Sequence, residues 1–140
     1  MGFVAPHSLI GGRIAVTARL LLGFILVLAG TAHLTLARDG FLAQLPTWLP
    51  VEPDITVVLS GVFEISLGMA FIALVKFQRQ VGIAAALFFM LVFPGAVTNY
   101  IEHAGVNGFF SEFARGIRLV LEPLLAVWAL WCTRALSLFR

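Results

Sequence analysis

Charge is what this chain of 140 residues has least of: 11% of its positions are Asp, Glu, Lys or Arg, against 61% hydrophobic. A water-soluble globule of this size cannot hide so much apolar surface, so the composition excludes one. Thiols are almost absent too. Cys132 is the single cysteine, which rules out an internal disulfide and any two-thiol exchange within the chain; it reads as a small apolar residue near a helix end. The nine basic residues are scattered, so there is no nucleic-acid-binding patch. No flavin or iron–sulfur motif, internal repeat or low-complexity segment is evident.

What the sequence has instead is long apolar runs. A helix needs roughly 20 apolar residues to cross the hydrocarbon layer, and four such runs predict helices over about 14–35, 55–75, 81–101 and 117–136, the third interrupted by Pro94. The expected fold is all-α, a transmembrane four-helix up-down bundle forming a single integral membrane domain over 1–140. Arg13, Arg19, Lys76, Arg79, Arg134 and Arg140 fall on one side of it. Arg38, Arg115 and Arg118 fall on the other, diluted by Asp39, Glu52, Asp54, Glu102 and Glu112. Basic residues in short loops mark the cytoplasmic side, so both termini are expected there, in an inner or plasma membrane. A rival reading makes Arg13, Arg19 and "LLLGFILVLAGTA" a secretory signal cleaved after "TLA", but the apolar run is long for one.

The connections carry further expectations. In "LARDGFLAQLPTWLPVEPD", Pro46, Pro50 and Pro53 forbid a continuous helix, and Phe41, Leu42, Leu45, Trp48 and Leu49 predict a short interfacial segment. Asp54 is the expected cap of the second helix. "KFQRQ" predicts a tight cytoplasmic hairpin between antiparallel neighbours. "EHAGVNGFFSEFARG" predicts a second interfacial stretch through Phe109, Phe110 and Phe113, with Ser111 and Glu112 opening a short helix.

One acid stands out. Glu64, within "VVLSGVFEISLGMAF", lies roughly 14 Å into the second helix at about 1.5 Å per residue. A carboxylate facing lipid at that depth costs about 3 kcal/mol or more, so it should face the bundle interior. Ser60, Glu64 and Gly68 share a helix face, with Gly61 beside them, and small residues there let a neighbouring helix approach closely. His33, Asn99, Arg118 and Glu122 fall in the same outer half of the bundle, so the four helices should bring them towards Glu64. Each also has an ordinary reading. Arg118 and Glu122, spaced i, i+4, can neutralise each other; His33 can be a hydrogen-bonding group at a helix end; Asn99 can bridge backbone freed by Pro94. A protonated Glu64 can simply tie two helices together.

The segments "LAGTAHL", "LPTWLP", "VLSGVFEISLGMA", "VFPGAVTN" and "IRLVLEPLLAVWALW", in this order over nearly the whole chain, resemble the DoxX-like family of small four-helix membrane proteins. The resemblance singles out His33, Ser60, Gly61, Glu64, Pro94, Arg118 and Trp128. The chain departs from the family pattern at Gly95, Ala96 and Val97, where relatives commonly continue with alanine and asparagine and where the nearest asparagine is Asn99. It departs again at Glu122, where relatives usually carry glutamine. The resemblance implies association with membrane redox enzymes, including thiosulfate- and quinone-linked subunits, or with oxidative-stress complexes; more distant relatives assist membrane-protein assembly.

Three functional readings follow. In the first, the chain is a redox-associated subunit whose outer cleft admits a quinone: His33 or Arg118 donates a hydrogen bond to a quinone carbonyl, and Glu64 and Glu122 exchange protons. Electrons then come from a partner redox complex. The catalytic candidates are Glu64, His33 and Glu122; the ligand-binding candidates are His33, Ser60, Glu64, Asn99, Arg118 and Glu122. No metal site is expected, and a haem between His33 and His103 is the weakest option. In the second, the chain is a non-enzymatic accessory subunit or assembly factor, and the face of Ser60, Glu64 and Gly68 recognises a helix of another membrane protein. In the third, it is a proton or small-ion carrier, which needs a homo-oligomer to supply a rocking partner. The lipid bilayer is a partner in all three.

Overall fold

The computed structural model describes residues 6–35, 42, 45, 48–102 and 109–139, and the described residues are helical with no strand. There are four long helices: α1 (Pro6–Leu34), α2 (Pro53–Ala73), α3 (Gln78–Glu102) and α4 (Phe109–Cys132). Among the described residues three stretches, Gly12–Leu34, Pro53–Ala73 and Val75–Thr98, are long and apolar enough to cross a membrane. Leu20, Phe24, Leu28, Phe63, Leu87, Leu91 and Val120 are exposed on the helix surfaces, as expected where the surrounding medium is itself apolar.

Several helix ends differ from the sequence expectation. α1 is already helical at Pro6, well before residue 14. α3 runs through Pro94 without stopping. α4 starts at Phe109 rather than 117. Its first turns carry Ser111, Glu112 and Arg115, so apolarity alone does not mark them. Residues 109–116 are therefore the first part of a long helix, and 103–108 lie outside the described residues. At the far end α4 stops at Cys132, and a turn at Thr133 and Arg134 leads to a 3-10 segment, Ala135–Phe139.

Asp54 is not the cap of α2. Glu52 occupies that position without a side-chain capping bond, Pro53 starts the helix and Asp54 lies in its first turn, where a carboxylate still complements the helix dipole. The connection after α2 is a single 3-10 turn, Val75–Phe77. In the first connection, Trp48 is exposed but tethered: its Nε1 donates to Thr98 Oγ1 at 3.0 Å, and Thr98 donates onward to the Pro94 carbonyl at 3.0 Å. Phe41 lies outside the described residues.

The helices associate as two intimate pairs. α1 packs on α2 and α3 on α4, with lesser contacts of α2 on α3 and α1 on α4. The first pair is built on four glycines. A Cβ placed on Gly30 would lie 2.6 Å from the Gly61 carbonyl oxygen, and one on Gly68 would lie 2.5 Å from that of Gly23. Gly23 thus meets Gly68 while Gly30 meets Gly61, so the two helices run in opposite directions at backbone contact. The second pair uses Ala85, Ala86, Ala126 and Ala129, all buried, and sets the Thr133 side chain into the space that a Cβ on Gly82 would occupy. Leu22, Leu26, Phe71, Val81 and Phe89 join the pairs in one core, and Phe63 stacks on Phe88 across α2 and α3 with ring centroids 6.2 Å apart.

Candidate functional site

The close approach of α1 and α2 determines which polar groups meet. His33, in the last turn of α1, stands with Nδ1 3.1 Å from Glu64 Oε2, and both side chains are 13% exposed. The two atoms are at ion-pair distance without an aligned hydrogen bond. Glu64 lies between Gly61 and Gly68, the glycines that admit α1, so the acid is on the packing face of α2. Ser60 is half-buried one turn from it.

α4 brings the second part. Arg115, Arg118 and Glu122 fall at i, i+3 and i+7, a single helix face. Arg115 and Glu122 are buried at 5% and 7% exposure. Arg118 Nε donates to Glu122 Oε1 at 3.0 Å, so the i, i+4 pair forms within the helix. α4 also packs lightly on α1, the helix that carries His33. Glu64 Oε2 and Glu122 Oε2 are both buried without a hydrogen-bond donor. A buried acceptor left unmet costs about 1–3 kcal/mol, and more for a charged group. The centre therefore has capacity for added protons or for a molecule that brings donors.

Asn99 lies on α3, but its side chain is outside the described residues, as is the whole of His103 and with it any haem reading. Among the described residues no three His, Cys, Asp or Glu side chains gather as metal ligands would. Trp128 packs against the core from α4, and its Nε1 is buried without an acceptor.

Sequence reasoning missed three features. Arg115 was read as a surface charge, although its spacing from Arg118 and Glu122 already placed it on their face. Arg19 was read as a cytoplasmic marker, yet it is 4% exposed and donates from Nη1 to the Phe71 carbonyl. That carbonyl sits in the last turn of α2, where the helix has no amide left to offer it, so Arg19 caps one helix from another and complements the negative end of its dipole. Gly23 and Gly30 were also overlooked. Their spacing of seven, matching that of Gly61 and Gly68, was the available signal.

No curated protein and no solved structure matches the chain. A family described as a domain of unknown function, DUF8561, matches residues 22–133, a stretch that holds His33, Glu64, Arg118 and Glu122 together with all four glycines of the α1–α2 contact. The chain belongs to the DUF8561 family.

Proposed function

We propose that this chain is a DoxX-like, multi-pass membrane subunit of a quinone-linked redox system, its helices arranged as an up-down bundle with both termini cytoplasmic in an inner or plasma membrane. Its polar centre binds the quinone head group. The observation that carries the reading is that acids of two helices, Glu64 and Glu122, each keep one buried oxygen without a donor, each beside a cation or potential cation.

Such a centre matches both states of a quinone. The oxidised carbonyls accept hydrogen bonds, for which Arg118 and protonated His33 are donors. The reduced form carries two hydroxyl groups, which are donors for the open oxygens of Glu64 and Glu122. Reduction takes up two electrons and two protons; the electrons come from a redox partner protein and the protons pass through the two carboxyl groups. The rival reading, in which the face of Ser60, Glu64 and Gly68 recognises another protein's helix, has less support: α1 already occupies Gly61 and Gly68 at backbone contact.

The test is extraction from native membranes in a mild detergent, followed by mass spectrometry of every lipid-soluble molecule and protein retained at near-equal stoichiometry. The expected result is a bound quinone that Glu64→Leu releases while the helical content is kept. A stoichiometric membrane protein with no bound small molecule would replace this reading with the accessory one.

A further inference from the structure

The end of the molecule opposite the acids has a different character. The start of α1, the end of α2, the turn Val75–Phe77, the start of α3 and the end of α4 contain none of the seven Asp and Glu residues. They contribute Arg13, Arg19, Lys76, Arg79 and Arg134. Between α1 and α4 at this end runs a groove of about 410 Å³ lined by Ile14, Ala18, Leu124, Val127, Trp128 and Trp131. Ile14, Leu124, Val127 and Trp131 are each about half exposed or more, so the groove is open along its side to the surrounding medium.

Two arginines adjoin its lining residues in the chain. Arg13 directly precedes Ile14 and is exposed. Arg134 follows Trp131 by three residues, and its Nη2 lies 3.4 Å from where a Cβ on Gly12 would be, beside Arg13 in the chain. Arg134 reaches that place through a left-handed backbone, φ 60°, at the position after a helix end where glycine is the usual occupant. A non-glycine residue held there costs about 1 kcal/mol or more, and the turn directs a guanidinium onto α1. A half-exposed Trp131 between the arginines and the apolar wall also suits the level of the lipid head groups.

We propose that this groove seats an acyl chain of an anionic phospholipid whose phosphate is held by Arg13 and Arg134. An apolar slot whose lining is continued in the chain by two arginines, at an end of the described residues that carries no Asp or Glu, complements a hydrocarbon chain that ends in a negative head group. Basic pockets between membrane helices recognise such lipids in this way.

Tryptophan quenching by bromine-labelled lipids tests it directly. The protein contains three tryptophans, so full-length Trp48→Phe protein leaves only Trp128 and Trp131 to report on the groove. It is placed in phosphatidylcholine vesicles holding a minor share of phosphatidylglycerol, with brominated chains on one lipid or the other. Brominated phosphatidylglycerol should quench far beyond its mole fraction. Each arginine near an anionic surface is worth about fivefold in affinity, so Arg13→Gln with Arg134→Gln should lower the preference roughly 25-fold. Arg13→Lys with Arg134→Lys should retain most of it, which separates loss of charge from loss of fold. Lys76→Gln with Arg79→Gln, in the turn after α2 and the first turn of α3, should leave it intact. Quenching in simple proportion to mole fraction would overturn the proposal, and so would a preference that the two control pairs reduce as much as the groove pair does.

Discussion

Replacing Gly68 by alanine adds one methyl group at the tightest point of the α1–α2 contact. Its Cβ would lie 2.5 Å from the Gly23 carbonyl oxygen, 2.7 Å from Val27 Cγ2 and 2.8 Å from the Val27 amide nitrogen. Ordinary contact begins at 3.4 Å, so the helices must part locally by about 0.9 Å. Two of the three obstructing atoms are backbone, which cannot swing away as a side-chain end can. Overpacking of this kind costs about 1–3 kcal/mol, or roughly 5- to 150-fold in the unfolding equilibrium. The assay is titration of the detergent-solubilised protein with SDS, followed by far-UV circular dichroism and tryptophan emission. Gly116→Ala is the internal comparison. There, among the described residues, a Cβ meets only Tyr100 Cε2, at 3.9 Å, so the same exchange should be neutral or stabilising by up to about 1 kcal/mol through helix propensity. A Gly68→Ala protein as resistant to SDS as the Gly116→Ala protein would refute the glycine-contact argument.

The remaining outcomes can be checked in the same preparation. Arg19→Ala removes the charge-assisted bond to the Phe71 carbonyl and should cost about 1.5–3 kcal/mol; an unchanged SDS midpoint would show that the cap contributes nothing. A double-mutant cycle with His33→Ala and Glu64→Ala should give a coupling of at least about 0.5 kcal/mol, since their side chains touch across two helices; strict additivity would mean that the contact carries no energy. Thr98→Val breaks the tether of Trp48 and should shift Trp48 emission to longer wavelength in a Trp128→Phe, Trp131→Phe background; identical spectra would dissolve the tether. Cys132 is 2% exposed, so maleimide should label it only after SDS unfolding, and rapid labelling of the folded protein would contradict its burial.

The helices and the inward-facing acid are legible in the sequence because moving charge and bare backbone into an apolar medium is costly. Apolar runs near 20 residues become helices because every backbone amide must be satisfied within the segment, and an acid in the middle of such a run must turn away from lipid. That reasoning places Glu64 on a packing face, and the i, i+4 spacing of Arg118 and Glu122 allows their pairing. Local rules did less well at helix ends. Pro6, Pro53 and the polar turn around Ser111 are all compatible with helix, and apolarity alone does not mark where a helix begins.

The tertiary structure decided which distant positions share a neighbourhood. Gly23 and Gly68 are 45 residues apart, and their contact sets the register that delivers His33 to Glu64. Arg19 carries the same charge as Arg13, yet it is buried because α2 ends beside it with the Phe71 carbonyl unmet, whereas Arg13 stays exposed. No spacing within one helix can encode such differences. They depend on how closely two backbones approach and where a neighbouring helix stops, and both are properties of the packed helices together.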